Sequence, residues 1–595
     1  MKRTGIQAGR PGIPPPHSPP QKDGTVISSA FSPPFSRCLA AGALSLGLIL
    51  SGCTASPGAP GEAGDPDVPA VSLQQSGAVT GVFDGGTGPA SLAASSAFFE
   101  SSPAAVVLGA ANPAASGLAA AAAAGLGVPL LVVEPGNEQQ VEGELERLRV
   151  DSVVLYGAPA EGWPAVAGDR TQVSGPADVD GFRTVLDLEV VPAEASGAVA
   201  RIAAMDRGEP LAVPGLEAAP AQTAVQETNA SETEVPKDKA PAQELPEFEA
   251  AGNRAEAIVL ATEDPASAAA VATARAAGAE VRMVEAADPR ADPATIEALR
   301  SHRDGGIYAV GDGFGGAETF AAHSDVALNA PELPGGGQTV FPGRRMVALY
   351  GHPSGGSLGV LGEQGLEESI RRAQETAAQY QPFSDEPVVP ALELITTVAS
   401  SEAGADGDFS TETAVAELLP WIEAAGEAGV YVILDLQPGH STFLNQARRY
   451  EELLKFPHVG LALDSEWRLA PGQRHLEQIG SVDAAEVNEV SAWLAELTRE
   501  NVLPQKLFML HQFNSSMIRD RDQLDVSHSE LAVSLHADGH GTPGEKLDTW
   551  NVLRTGLQPE IWPGWKNFYD EDTPTLTPEQ TFTQIDPKPW FISYQ

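Results

Sequence analysis

From residue 346 onward, short apolar runs rich in Val, Ile and Leu alternate with amphipathic stretches, eight times in about 250 residues. Few folds accommodate that rhythm. The expected strands are 346–352, 388–397, 430–437, 459–467, 506–513, 531–539, a short one within 561–569, and 589–595. Helical patterns such as LEESIRRAQETAAQY, TAVAELLPWIEAAGEAG and AAEVNEVSAWLAELTREN lie between them. Strands that are apolar on both faces and joined through helices are parallel, because a crossover helix covers each face. Eight such units in this length predict a (β/α)8 barrel of TIM type over residues 345–595.

Polar residues collect at the C-terminal ends of these strands. They are His352, Glu393, Asp435 with Gln437, Asp464 with Glu466, His511 with Gln512, His536 with Asp538, and Lys566 with Tyr569 and Asp570. One polar strand end is often a satisfied core group or a helix cap. Seven of eight point to an active site, since uncompensated buried charge is costly and barrel sites are assembled at this face.

The sharpest local motif is Asp464-Ser465-Glu466. A strand period of two puts both carboxyls on one face. An Asp-x-Glu ending a fourth barrel strand resembles the catalytic signature of retaining glycosidases, including lysozyme-like and chitinase-like barrels. That resemblance implies Glu466 as proton donor and Asp464 as its partner, with Asp435 or Glu393 as second carboxylate. The chemistry requires one carboxyl kept protonated and another kept ionised. His352, His511, Gln512, His536, Asp538, Trp565, Lys566 and Tyr569 are the expected binding residues, and Trp467, Trp562, Trp565 and Tyr569 are candidates for stacking on sugar rings. A rival reading starts from His352, His511 and His536, since metal-dependent hydrolase barrels take histidines from strands five and six. The His-x-His expected on strand one is missing (Tyr350-Gly351-His352), strand eight lacks an Asp, and strand four offers no Lys. A barrel that binds glycan without turning it over is the third reading. No Gly-x-Ser-x-Gly elbow is present. Neither a cofactor nor a metal is expected.

Ahead of the barrel lies an internal repeat, starting at Ala105 (AVVLGAANPAASGLAAAAAAGLGVPLLVVEPG) and Ala257 (AIVLATEDPASAAAVATARAAGAEVRMVEAAD). The offset of 152 residues carries Asn112-Pro113-Ala114 onto Asp264-Pro265-Ala266 and, after a one-residue deletion, Glu134 onto Glu285. Each copy reads as strand, Ala-rich helix, strand, amphipathic helix, strand, which predicts parallel α/β layers. The small-residue helix 114–124, the turn Leu126-Gly127-Val128-Pro129-Leu130-Leu131, the Glu-Leu-Glu-Arg-Leu helix and the Val-Leu-Tyr-Gly end resemble the cell wall-binding repeat 2 family. The resemblance implies a module that faces or binds a cell-wall polymer. No Gly-x-Gly-x-x-Gly follows either first strand, so no dinucleotide is expected. Gly311-Asp312-Gly313-Phe314-Gly315-Gly316 follows a last strand and is expected to be a loop opening no helix.

Near the front, Arg37, the apolar run 39–50 and Leu50-Ser51-Gly52-Cys53 form a secretory signal ending in a lipobox. The resemblance to bacterial lipoproteins implies cleavage before Cys53 and acylation there. The product is anchored to the outer face of the cell membrane by lipid and does not span it. Residues 1–37 are Pro-rich and longer than a basic n-region, so translation is expected to begin nearer Val26. The expected organisation is signal 1–52, tether 53–75, first repeat region 76–214, acidic Pro/Ala-rich linker 215–252, second repeat 253–340 and barrel 345–595. The whole arrangement resembles a group of actinobacterial lipoproteins that pair such repeats with a terminal barrel.

The two cysteines are Cys38 in the signal and Cys53, so the mature chain has neither a disulfide nor a Cys ligand. Beyond residue 52 there are 31 basic and 79 acidic residues, a net charge of −48. That field excludes nucleic acid as a partner and opposes simple Coulomb attraction to an anionic wall polymer.

Overall fold

The Ala-rich runs of the two repeats form helices that share one core. The computed structural model describes residues 68–75, 77–109, 115–157, 166–194, 196–207, 211–214, 216 and 244–595. The signal, Cys53, most of the tether and linker, and Asn112 to Ala114 lie outside the described residues.

The first elements are β1 (Val79–Phe83), α1 (Thr87–Phe98), β2 (Ala104–Gly109), α2 (Ser116–Leu126), β3 (Leu130–Val133), α3 (Glu138–Leu148), β4 (Ser152–Tyr156) and β5 (Thr171–Ser174). The second repeat supplies β6 (Ala257–Ala261), α4 (Ala268–Ala276), β7 (Glu280–Met283), α5 (Pro293–Ser301), β8 (Gly306–Val310) and α6 (Ala317–Asn329). Two four-stranded parallel sheets result, ordered β3-β2-β4-β5 and β7-β6-β8-β1. Strand β1 comes from ahead of the first repeat, yet it pairs with β8, Val79 opposite Gly306 through Phe83 opposite Val310. The second sheet therefore takes a strand from each end of the module.

Alternation along β6 sorts its side chains. Ala257, Val259 and Ala261 join α1, α2, α4 and the first sheet in one core, while Ile258 and Leu260 pack with α5 and α6 through Ile296, Leu299 and Phe320. Ala119 to Ala124 and Ala268 to Ala272 are buried, and their small side chains let the helices pack closely. Thr273 of α4 ties the layers together. Its Oγ1 accepts from the Leu130 N–H (3.1 Å) and donates to the Leu130 carbonyl (3.3 Å). The Gly-rich segment departs from expectation. Asp312–Phe314 is a 3-10 turn, and α6 begins directly after Gly316.

The barrel is closed by eight parallel strands: β9 (Arg345–Gly351), β10 (Val388–Ala399), β11 (Tyr431–Leu436), β12 (Val459–Asp464), β13 (Lys506–Gln512), β14 (Leu531–Ala537), β15 (Trp562–Asn567) and β16 (Phe591–Tyr594). Each pairs with the next, and β16 pairs with β9, Met346 opposite Phe591. Outward residues such as Val347, Leu392, Leu434, Leu461, Phe508 and Leu535 pack under the helices. Inward residues form layers. Met346, Val389, Tyr431, Leu507, Ala532 and Phe591 fill the lower barrel, and Leu333, Val340 and Phe341 close its floor with Trp562 and Trp590. Further up the strands, four residues on in most of them, the inward positions become polar.

Candidate active site

Those upper inward positions are Tyr350, Glu393, Asp435, Asp464, His511, His536, Asp538, Lys566 and Ser593, all buried. Strand parity delivers them: Leu507 and Met509 point inward, and so His511 does too. His511 is the hub. Its Nε2 lies 2.7 Å from Glu393 Oε1 and 3.9 Å from Asp435 Oδ1, and its Nδ1 lies 2.9 Å from Asp538 Oδ2. A carboxylate at each nitrogen requires both to donate, so the ring is an imidazolium. Burial opposes that charge, but Glu393 and Asp538 outweigh it and hold the proton affinity well above that of a free histidine. The neighbouring His536 goes the other way. Burial and the charges of His511 and Lys566 push it well below the usual range, and its Nε2 meets Ser593 Oγ at 3.1 Å.

The carboxyls divide by depth. Glu393 sits against His511, and Asp435 Oδ2 accepts from the Tyr350 hydroxyl at 3.1 Å. Asp464, Glu466 and Asp538 instead line an open cleft of about 510 Å³, with Tyr350, Gln437, Trp467, Phe513, His540, Lys566 and Phe568 among its other walls. Strand β12 ends at Asp464, and Glu466 projects from the 3-10 turn Ser465–Trp467.

Burial, reinforced by the charge of Asp538, raises Glu466 to about 7. Burial, with Glu466 and Asp435 nearby, pushes Asp464 well above the carboxylate range. Burial also raises Asp435 to about 7, although His511 opposes it. Asp538 is the exception: against burial, the hydrogen bond from His511 and the charge of Lys566, 4.0 Å away, hold it at about 2. The Lys566 ammonium also lies 3.7 Å from the Tyr350 ring centroid.

Several expected residues sit elsewhere. Trp565 points outward, 5.7 Å from the Trp550 ring, and its Nε1 donates to Asn567. Gln512 is also outward, held by Arg521 and the Asn514 carbonyl. His352 is bound by Ser354 (2.7 Å) and Thr413 (3.0 Å), away from His511 and His536. Tyr569 is 43% exposed and stacks on Tyr594. Tyr350 and Ser593 were absent from the expected site. Parity with inward Met346 and Ala348 was the signal for Tyr350, and parity with Phe591 for Ser593.

Among the described residues, two trios that include His511 have donor atoms within 4.8 Å of one another: Glu393, His511 and His536, and Asp464, His511 and Asp538. They match a divalent cation by ligand type. Both nitrogens of His511 are already committed to carboxylates, however, so a metal would have to displace one. Acids of different proton affinity lining one cleft suit general acid and base chemistry.

No family model matches the chain, and no curated protein matches it. Among solved structures, Cwp6 from Clostridium difficile aligns over 76% of this chain and 66% of that one, at 12% identity and a TM-score of 0.27. A superposition that loose carries no argument about fold or activity.

Proposed function

We propose that the barrel is a glycoside hydrolase acting on a cell-envelope or extracellular glycan, within a lipoprotein held to the membrane through Cys53. One observation carries the catalytic part. Glu466 and Asp538 line the same cleft, and their surroundings drive the two carboxyls apart, to about 7 and about 2. Acid and base roles are assigned by such a divergence. Glu466 keeps its proton near neutrality and donates it to the glycosidic oxygen as the bond breaks. Asp538 stays ionised and faces the developing positive charge at the anomeric carbon, as nucleophile or as base for water. Lys566 and His511 keep Asp538 ionised, and Trp467, Phe513 and Phe568 offer apolar faces to sugar rings. The lipobox supports the anchoring, and the repeats' resemblance to wall-binding modules supports the envelope setting.

Glu466→Gln tests the reading, since it preserves shape and removes the proton. Turnover of a susceptible glycan should fall by about 10³-fold with binding retained. Full activity in that variant excludes Glu466 as the acid. Activity abolished by a chelator and restored by a divalent ion would instead favour the metal-dependent alternative.

A further inference from the structure

The cleft and its floor hold more carboxyls than cations. Among the described residues Glu393, Asp435, Asp464, Glu466 and Asp538 share two cations, His511 and Lys566, and burial beside other carboxyls holds Asp435, Asp464 and Glu466 above the usual carboxylate range. Hydrogen bonding is also incomplete there. Asp464 Oδ1 and Asp538 Oδ1 are buried without a partner among the described residues, although both side chains line the cleft. The two residues are only 2% and 7% exposed. Just beneath, Asp435 Oδ1 and Glu393 Oε2 are equally unpartnered. Ionised Asp538 only accepts, so its missing partner is a donor, and Asp464 becomes an acceptor of the same kind once a cation beside it draws off its proton.

We propose that the glycan seated over Asp464 and Asp538 is built of 2-amino-2-deoxy sugars with free, protonated amines. This rests on the reading of the cleft as a glycan site. A carboxylate oxygen of Asp464 and one of Asp538 lie within 4.8 Å of each other, a span that one ammonium nitrogen bridges at ordinary hydrogen-bond length on either side. An ammonium brings three donors and the positive charge that lets Asp464 ionise beside Asp538. An acetamido group brings one donor and no charge, and its methyl would lie against unpaired oxygens. Uronates and phosphodiesters are repelled. The net charge of −48 beyond residue 52 adds long-range attraction for a polycationic chain.

The test uses the full chain as the Glu466→Gln variant, so that ligand is bound and not consumed. Calorimetry compares a glucosamine tetramer with the N-acetylglucosamine tetramer at about 0.3 M salt, where long-range attraction is screened. The amine form should bind at least about tenfold tighter. Adding Asp464→Asn should remove that advantage, because Asn cannot ionise beside the ammonium, whereas attraction to the acidic surface in general would survive a single substitution. Equal or tighter binding of the acetylated tetramer overturns the proposal without depending on any further variant. So does an amine preference unchanged by Asp464→Asn. If wild-type protein cleaves acetylated chains through Glu466, the hydrolase reading stands and the amine site falls. If the amine tetramer binds through Asp464 and is never cut, the amine site stands and the hydrolase reading falls.

Discussion

Asp464, Glu466 and Asp538 are nearly identical acids in one cleft, and only their neighbours distinguish them. Asp538 touches His511 and lies near Lys566, whereas Glu466 has burial and other carboxyls around it. The rate should therefore decline as pH rises through about 7, where Glu466 gives up its proton, and hold on the acid side until the fold itself fails, because Asp538 stays ionised down to about 2. A pH profile of kcat/KM, which reports the groups of the free protein, checks this, and an alkaline optimum would contradict it. Lys506 presents the same physics at the other end of the barrel. It is buried at the start of β13, its Nζ donates to the carbonyls of Phe456 and Val459, and burial lowers it to about 7. Unfolded lysine binds its proton up to about 10.4, so between those pH values the unfolded state holds one more proton than the folded state. That penalty on the fold is complete below about 7 and fades as pH rises. Lys506→Met should abolish a stability gain of up to about 1.4 kcal/mol per pH unit from pH 7 to 10, measured by urea denaturation. Parallel pH dependences for the two proteins would refute it.

At the scale of elements, the two repeats show how little sequence is needed to specify an α/β layer. Helices α2 and α4 fall at the predicted offset, Ser116 matching Ala268, because both need small residues where they pack together. Ala270 is fully buried in α4. Ala270→Leu adds three heavy atoms where close packing leaves no room, and should cost about 1–3 kcal/mol, read as a lower urea midpoint. An unchanged midpoint would mean that the helices separate more easily than this packing implies. Strand β1 is the counterexample. Its own residues, Val79 to Phe83, identify it as a strand, but nothing local says that its partner is β8, more than 220 residues away.

At the scale of the molecule, the barrel depends on residues ahead of its first strand. Leu333, Val340 and Phe341 cap its floor, and Arg344 fixes that segment by donating to the carbonyls of Val340 and Thr339. The repeat module adjoins the same end. Arg290 donates to the Ser529 carbonyl (3.2 Å), and His323 Nε2 meets Ser529 Oγ at 2.9 Å. A fragment from residue 345 should be less stable than one from 330 by on the order of 5 kcal/mol, given about 1.5–3 kcal/mol for each buried large apolar side chain. Equal denaturation midpoints would show that the cap is dispensable.

The sequence by itself determined the eight barrel strands, the paired repeats and the identity of the polar strand ends, because these follow from period-two alternation and apolar runs that each segment carries locally. Parity even contained the outward turn of Gln512 and Trp565, next to inward His511 and Lys566. Tertiary structure alone decided that β1 completes the second sheet, that Glu393 and Asp435 lie beneath the cleft while Asp538 lines it, and that His511 joins two carboxylates. Depth and charge pairing inside a closed barrel are set by how far each strand is staggered against its neighbour, and that stagger is a property of all eight strands together.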